Sequence, residues 1–257
     1  MSIVLVERLD NIAVLRLNNP ERLNSLSSEL CTTLLDQLTQ LSVDDNLRAL
    51  VLTSEGRAFS AGTDIKEFQN CSEEEALKIS ERGQLLCERV EKFPVPVIAG
   101  INGIAAGGGC ELALASHLRV ASSTACFSMP ETKLALIPGY GATQRLPREV
   151  GLGRAYELML TGRSLTAAEA EELGIVNRVV NQTDVLNESL SLAREIAKRA
   201  PLAIRACLKA VNRGLYLPME EGLALERELF ASLFATEDVR EGTTAFLEKR
   251  EASFKGI

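Results

Sequence analysis

The sequence predicts an α/β protein that ends in a purely helical region. Three observations carry that expectation. Short runs rich in Val, Ile and Leu alternate with segments of helical spacing through the first half, and Gly and Pro breaks separate them. From about Thr183 onward, helical spacing alone persists to the C-terminus. Strand and helix in alternation favour an α/β arrangement.

The elements follow in order. "IVLVER" and "IAVLRLN" read as two strands joined by an Asp10-Asn11 turn. "SSELCTTLLDQLTQL" sets Leu30, Leu34, Leu38 and Leu41 at helical spacing behind caps at Ser27 and Ser28. "RALVLTS" is a third strand, closed by the loop "EGRAFSAGTD". A polar helix runs from about Glu73 to Lys92, and Pro94 and Pro96 break the chain before the strand "VIAGI". After the glycines of "GIAAGGGCELALASH" come a helix, the strand-like "LRVASS" and an irregular stretch to "PGYGATQRL". "TAAEAEELGIVNRVV" holds a Thr166–Glu169 capping box, with Gly174 as helix stop. In the last part Pro201 and Pro218 sit as first-turn prolines. The expected division is a core over residues 1–195 that carries the site, and a helical region over 196–257. Helices with apolar faces must pack on something, and another copy of the chain is a natural partner.

Composition narrows the function. The 257 residues are 46% hydrophobic and 25% charged, as in soluble globular proteins. No segment approaches the roughly 20 apolar residues that cross a bilayer. "MSIVLVERLD" lacks the basic start of a signal peptide, so a cytoplasmic location is expected and no membrane partner. A net charge of −7 with scattered Lys and Arg disfavours a nucleic-acid-binding face, though local cations can serve a small anion. The six cysteines form no CxxC pair, which points to free thiols and to no metal site.

Elimination continues at the level of motifs. His117 is the only histidine, it follows an apolar run, and no G-x-S-x-G elbow exists to partner it. Neither a G-x-x-x-x-G-K-[ST] loop nor a G-x-G-x-x-G after the first strand is present. Serine hydrolase, phosphotransferase and dehydrogenase readings recede. The run Gly107–Gly109 stays open to a phosphate cradle, an oxyanion hole or plain tight packing. Two carboxylates are the remaining chemistry. Glu111 stands two residues past the glycines, and Glu131 lies between Phe127, Met129, Leu134 and Leu136. Apolar surroundings raise a carboxyl pKa toward the range useful for proton transfer, and two neighbouring acids spread their titrations. The plainer alternative is that Glu111 caps backbone amides and Glu131 forms a buried ion pair.

"FSAGTDIKEF", "GINGIAAGGGCELALAS", "FSMPETKLALIPGYGATQRL" and "LTGRSLTAAEAEELGIVNRVV" together resemble the enoyl-CoA hydratase/isomerase (crotonase) superfamily, nearly end to end. The resemblance implies a spiral of ββα turns with a C-terminal trimerisation region, as a homotrimer or a hexamer built as a dimer of trimers. It implies an acyl-CoA thioester substrate with no separate cofactor, and it leaves room for a partner enzyme of the same pathway. The matching oxyanion donors are the backbone amides of Thr63 and Gly108, and the matching acids are Glu111 and Glu131. The implied reaction is syn addition of water to a trans-2-enoyl-CoA, in fatty-acid or related acyl-CoA degradation. Glu111 would deprotonate the water, Glu131 would supply the Cα proton, and the Gly139 backbone would help hold the water. Thr63, Asp64, Ile65 and Lys66 match a CoA-lining segment; Phe246 and Lys249 match residues that reach the CoA of a neighbouring subunit. Thr63 stands where many hydratases have alanine, and "PGYGA" replaces "PGAGG", which bears on acyl preference. The alternatives are a Δ3,Δ2-enoyl-CoA isomerase or related activity, which commonly lacks one of the two acids, and a non-catalytic CoA- or partner-binding oligomer.

Overall fold

The computed structural model describes residues 2–257. The chain opens with the hairpin β1 (Val4–Leu9) and β2 (Ile12–Leu17), turned at Asp10, whose φ is 54°. Helix α1 (Ser28–Ser42) follows, with the Ser27 hydroxyl accepting the Leu30 N–H at its start. Its Leu30, Leu34, Leu38 and Leu41 are buried, as the spacing predicts. Burying each such side chain stabilises by about 1.5–3 kcal/mol.

A repeating unit then appears three times: strand, short strand, helix. The first is β3 (Ala49–Ser54), β4 (Ala58–Ser60) and α2 (Glu73–Glu91). The second is β5 (Val97–Ile101), β6 (Ile104–Ala106) and α3 (Gly108–Ala115). The third is β7 (Leu118–Ser122) and β8 (Cys126–Ser128), whose helical part is the pair α4 (Ala142–Val150) and α5 (Leu152–Thr161). After these come β9 (Ser164–Thr166), α6 (Ala167–Glu172), β10 (Arg178–Val180), α7 (Val185–Ala197), α8 (Pro201–Gly214), α9 (Met219–Leu233) and α10 (Glu237–Glu248).

Each unit contributes its first strand to a six-stranded sheet ordered β1-β2-β3-β5-β7-β10 and its second to a four-stranded sheet ordered β4-β6-β8-β9. Apart from the β1–β2 and β8–β9 pairs, neighbours run parallel. The chain therefore winds as a spiral whose strands turn a corner from one sheet to the other. The main core lies between the sheets and α1, α2 and α3. The outer face of the large sheet (Val14, Val51, Ile98, Val120) is covered by Leu190 and Ala193 of α7.

Two expectations need correction. The stretches read as the loop "EGRAFSAGTD" and as irregular chain before "PGYGATQRL" contain β4 and β8, with β6 just before the glycines. Three-residue strands are too short to show a period. Pro218 is the N-cap of α9, one residue before the helix, whereas Pro201 does open α8.

Candidate active site

Three glycines begin α3 because three separate things press on them. Gly107 has φ 51° and ψ −127°, a conformation nearly closed to side-chain-bearing residues. At Gly108, a Cβ would fall 2.9 Å from the Tyr140 ring and 3.2 Å from Thr63 Oγ1. At Gly109, it would fall 2.3 Å from the Ser60 carbonyl oxygen, so β4 and α3 touch through bare backbone.

This close packing brings the chain at Gly62 beside α3: a Cβ there would lie 3.2 Å from the Gly108 nitrogen. The Gly108 N–H, at the first position of the helix, has no intrahelical acceptor. Among the described residues the Thr63 N–H has none either. Both residues line one cavity of about 510 Å³, together with Glu111, Glu131, Gly139 and Tyr140. Ile79, Leu134, Leu136 and Ile137 give it apolar walls.

Glu111 sits in the first turn of α3 and is 1% exposed. Its Oε1 accepts the Tyr140 N–H at 2.9 Å and the Ala142 N–H at 2.8 Å. Burial pushes its pKa up to about 7, aided by the nearby Glu131 charge and opposed by those two amides and by Arg145. Capping of backbone amides, the plainer expectation for Glu111, is thus real, and it coexists with a raised pKa at a cavity wall.

Glu131 opens the short 3-10 turn Glu131–Leu134 after β8. It forms no ion pair among the described residues, which corrects the buried-ion-pair alternative, and its Oε2 is buried without a hydrogen-bond partner. Burial raises its pKa as well. An unpartnered carboxyl oxygen on a cavity wall has capacity left for a ligand or a water.

The Gly139 carbonyl accepts from Ser80 Oγ at 2.7 Å and from Gln84 Nε2 at 3.2 Å. Of Asp64, Ile65 and Lys66, only Ile65 lines the cavity. Asp64 instead caps the 3-10 turn Ile65–Phe68 by accepting the Lys66 N–H at 3.1 Å, and faces Arg22 at 3.5 Å. Lys66 is exposed and off the cavity wall. Phe246, 83% exposed, and Lys249, at the end of α10, stand apart from this cavity within one chain.

His117 takes no part: its Nδ1 accepts the Val97 N–H at 2.9 Å, and burial pushes its pKa down to about 4. The six cysteines are free thiols, and no metal-binding group of His, Cys, Asp and Glu occurs among the described residues. No helix there is long and apolar enough to cross a membrane. Sequence reasoning missed Ser80, Gln84 and Arg145, which carry the turn at residues 139–142. Each is a polar residue on a helix, and nothing in its spacing distinguishes it from a solvated face.

Two acids thus share one cavity with Thr63 and Gly108, in ββα turns split between two sheets. The sequence profile of the enoyl-CoA hydratase/isomerase family matches residues 7–257. A crotonyl-CoA hydratase of Syntrophomonas wolfei is 39% identical, with 98% of this chain and 97% of that one covered. A short-chain-enoyl-CoA hydratase of Clostridium acetobutylicum is 38% identical, covering 96% and 95%. The crystal structure of an enoyl-CoA hydratase from Bacillus anthracis superposes with a TM-score of 0.96 at 40% identity over 100% of both chains. The chain belongs to the enoyl-CoA hydratase/isomerase family.

Proposed function

We propose that the protein is an enoyl-CoA hydratase that adds water reversibly and syn across a trans-2-enoyl-CoA to give a 3-hydroxyacyl-CoA. The observation that carries this reading is the joint presence of Glu111 and Glu131 on the wall that also holds the Thr63 and Gly108 amides. The two amides grip the thioester oxygen and stabilise the enolate as charge develops there. Removing one such donor costs about 10²–10³ in rate. Glu111, held as a carboxylate acceptor by two amides, takes a proton from water as the oxygen bonds to Cβ. Glu131 delivers a proton to Cα, and takes it back in dehydration. The Gly139 backbone helps to hold the water.

Thr63 to Lys66 follow the CoA path, and Phe246 and Lys249 from a neighbouring subunit meet its far end. The reading includes a homotrimer or a hexamer assembled through residues 196–257. It is supported by the exposed Val211, Leu215, Met219, Phe230 and Phe234 on or beside α8 and α9, which need a cover. CoA arrives as part of the substrate, in a cytoplasmic acyl-CoA degradation sequence.

Crotonyl-CoA tests the proposal: the ultraviolet absorbance of the enoyl thioester should fall as 3-hydroxybutyryl-CoA forms. No hydration of crotonyl-CoA or of longer enoyl-CoAs would refute it. Conversion of 3-enoyl-CoA alone would favour the isomerase reading.

A further inference from the structure

The two amides that hold Glu111 belong to a turn whose three successive peptide planes are each fixed by a different contact. In the plane joining residues 139 and 140, the Gly139 carbonyl accepts from Ser80 and Gln84 while the Tyr140 N–H, on the opposite edge, donates to Glu111. In the plane joining 141 and 142, the Ala142 N–H donates to Glu111. Between them lies the plane of the Tyr140 carbonyl, and its acceptor oxygen is held by Arg145 Nη1 at 3.0 Å. Gly141 follows it with φ 114°, and a Cβ there would lie 2.3 Å from Arg145 Nη1. The guanidinium therefore rests directly on the bare Cα of Gly141, a residue that no side chain restrains.

Arg145 is itself held. Its Nη2 donates to Glu91 Oε2 at 2.7 Å, and both side chains are mostly shielded, 15% and 25% exposed. Glu91, the last residue of α2, is gripped from α8: its carbonyl accepts from Asn212 Nδ2 at 2.7 Å. The Tyr216 hydroxyl, just beyond α8, donates to its Oε1 at 3.4 Å.

We propose that Arg145 is a positioning residue for the hydration reaction: it locks the middle peptide of the 139–142 turn, so that both flanking amides stay aimed at Glu111, and through Glu91 it ties that turn to α8. The proposal rests on the reading of Glu111 as the group that activates water. Arg145 is not among the residues that line the cavity of the two acids; its effect passes through the Tyr140 carbonyl. A planar fork that bonds a carbonyl and a carboxylate at once needs arginine, because lysine offers a single point of charge. The charged and titratable groups around Glu111 are Glu131 and Arg145 on its neighbouring elements, Cys87 on α2, Cys110 on its own helix, and Tyr140. Of these only Arg145 is a cation, so its loss removes an attraction as well as a lock. Both effects favour the protonated carboxyl.

The test uses the full-length protein with Arg145→Gln, Arg145→Lys and Glu91→Gln. For Arg145→Gln, kcat on crotonyl-CoA should fall about tenfold, one weakened charge-assisted hydrogen bond, with KM nearly unchanged. The acid limb of the pH profile should move up by about half to one pH unit. Arg145→Lys should restore part of both, and Glu91→Gln should shift the limb the same way by less. A 13C NMR titration of the Glu111 carboxyl should follow these shifts without relying on turnover. Unshifted limbs and an unmoved Glu111 titration in the folded variants overturn the proposal. If Arg145→Gln does not fold, the Lys and Glu91 variants decide it by the same criteria. Absence of wild-type hydration would instead count against the hydratase reading.

Discussion

The Glu131 carboxyl faces the bare Cα of Gly107: a Cβ at residue 107 would stand 3.0 Å from Glu131 Oε1. One glycine thus does two things, adopting a backbone that other residues avoid and leaving room for an acid at the cavity wall. In Gly107→Ala both are lost. The forced backbone should cost about 1–3 kcal/mol, read by denaturant unfolding. Hydration should fall further than stability explains, because the methyl displaces Glu131. Wild-type turnover in a folded Gly107→Ala protein would show that Glu131 need not occupy this place.

Glu131→Gln keeps the shape and removes the exchangeable proton. Turnover of crotonyl-CoA should drop by at least about 10²-fold while CoA-ester binding, followed by calorimetry, persists. The same variant lacks the charge that helps to raise the Glu111 pKa. Its Glu111 carboxyl should titrate below about 7, the wild-type position, in a 13C NMR experiment. A Glu111 titration that stays where it was would mean that the two acids do not sense one another.

Much of this was legible in the sequence, and the parts that were not share a cause. The leucines of α1, the Thr166–Glu169 capping box and the stop at Gly174 are local signals, and they appear as read. The glycine run and the two acids could be singled out because their residue types are costly where they stand. The strands β4, β6 and β8 escaped notice because three residues cannot display alternation. Their pairing comes from contacts far along the chain, such as Ala105 beside Phe127. The Glu111–Ala142 hydrogen bond spans 31 positions for the same reason. The resemblance bridged that distance by matching separated motifs, which residue spacing alone could not do.

Burial of Glu111 gives a signed stability effect. Its folded pKa of about 7 lies above the ordinary carboxyl value of 4.5, so the folded chain binds the extra proton between those limits. Stability from this group is fully present below pH 4.5 and is lost as pH rises through about 7. Glu111→Gln removes the dependence. The melting temperature of Glu111→Gln relative to wild type should therefore climb from pH 5 to pH 7.5 and level off above. Taking the difference cancels the buried Glu149 and His117, which titrate in both proteins. A constant difference across that range would contradict a raised Glu111 pKa.

Tyr140 is expected to limit how far an acyl chain extends, because it lines two neighbouring cavities. Its ring is buried, and α2 makes space for it with Gly83, where a Cβ would lie 2.0 Å from the Tyr140 Cδ1. Tyr140 lines the cavity of the two acids and also a second cavity of about 660 Å³, which reaches to Asn212 and Arg213 of α8. Gln84, Pro138, Tyr140 and Thr143 line both, so they form the partition between them. Of these Tyr140 presents the largest side chain, and Tyr140→Ala should open the wall. Longer enoyl thioesters could then seat methylenes in the second cavity at about 0.8 kcal/mol each, roughly fourfold in kcat/KM per methylene. The octenoyl-to-crotonyl ratio of kcat/KM should rise by more than about tenfold, since two seated methylenes already suffice. Because Tyr140 holds Glu111 through its backbone N–H, that bond survives the truncation and crotonyl-CoA should still turn over. An unchanged ratio in an active variant would place the limit on chain length elsewhere than this ring.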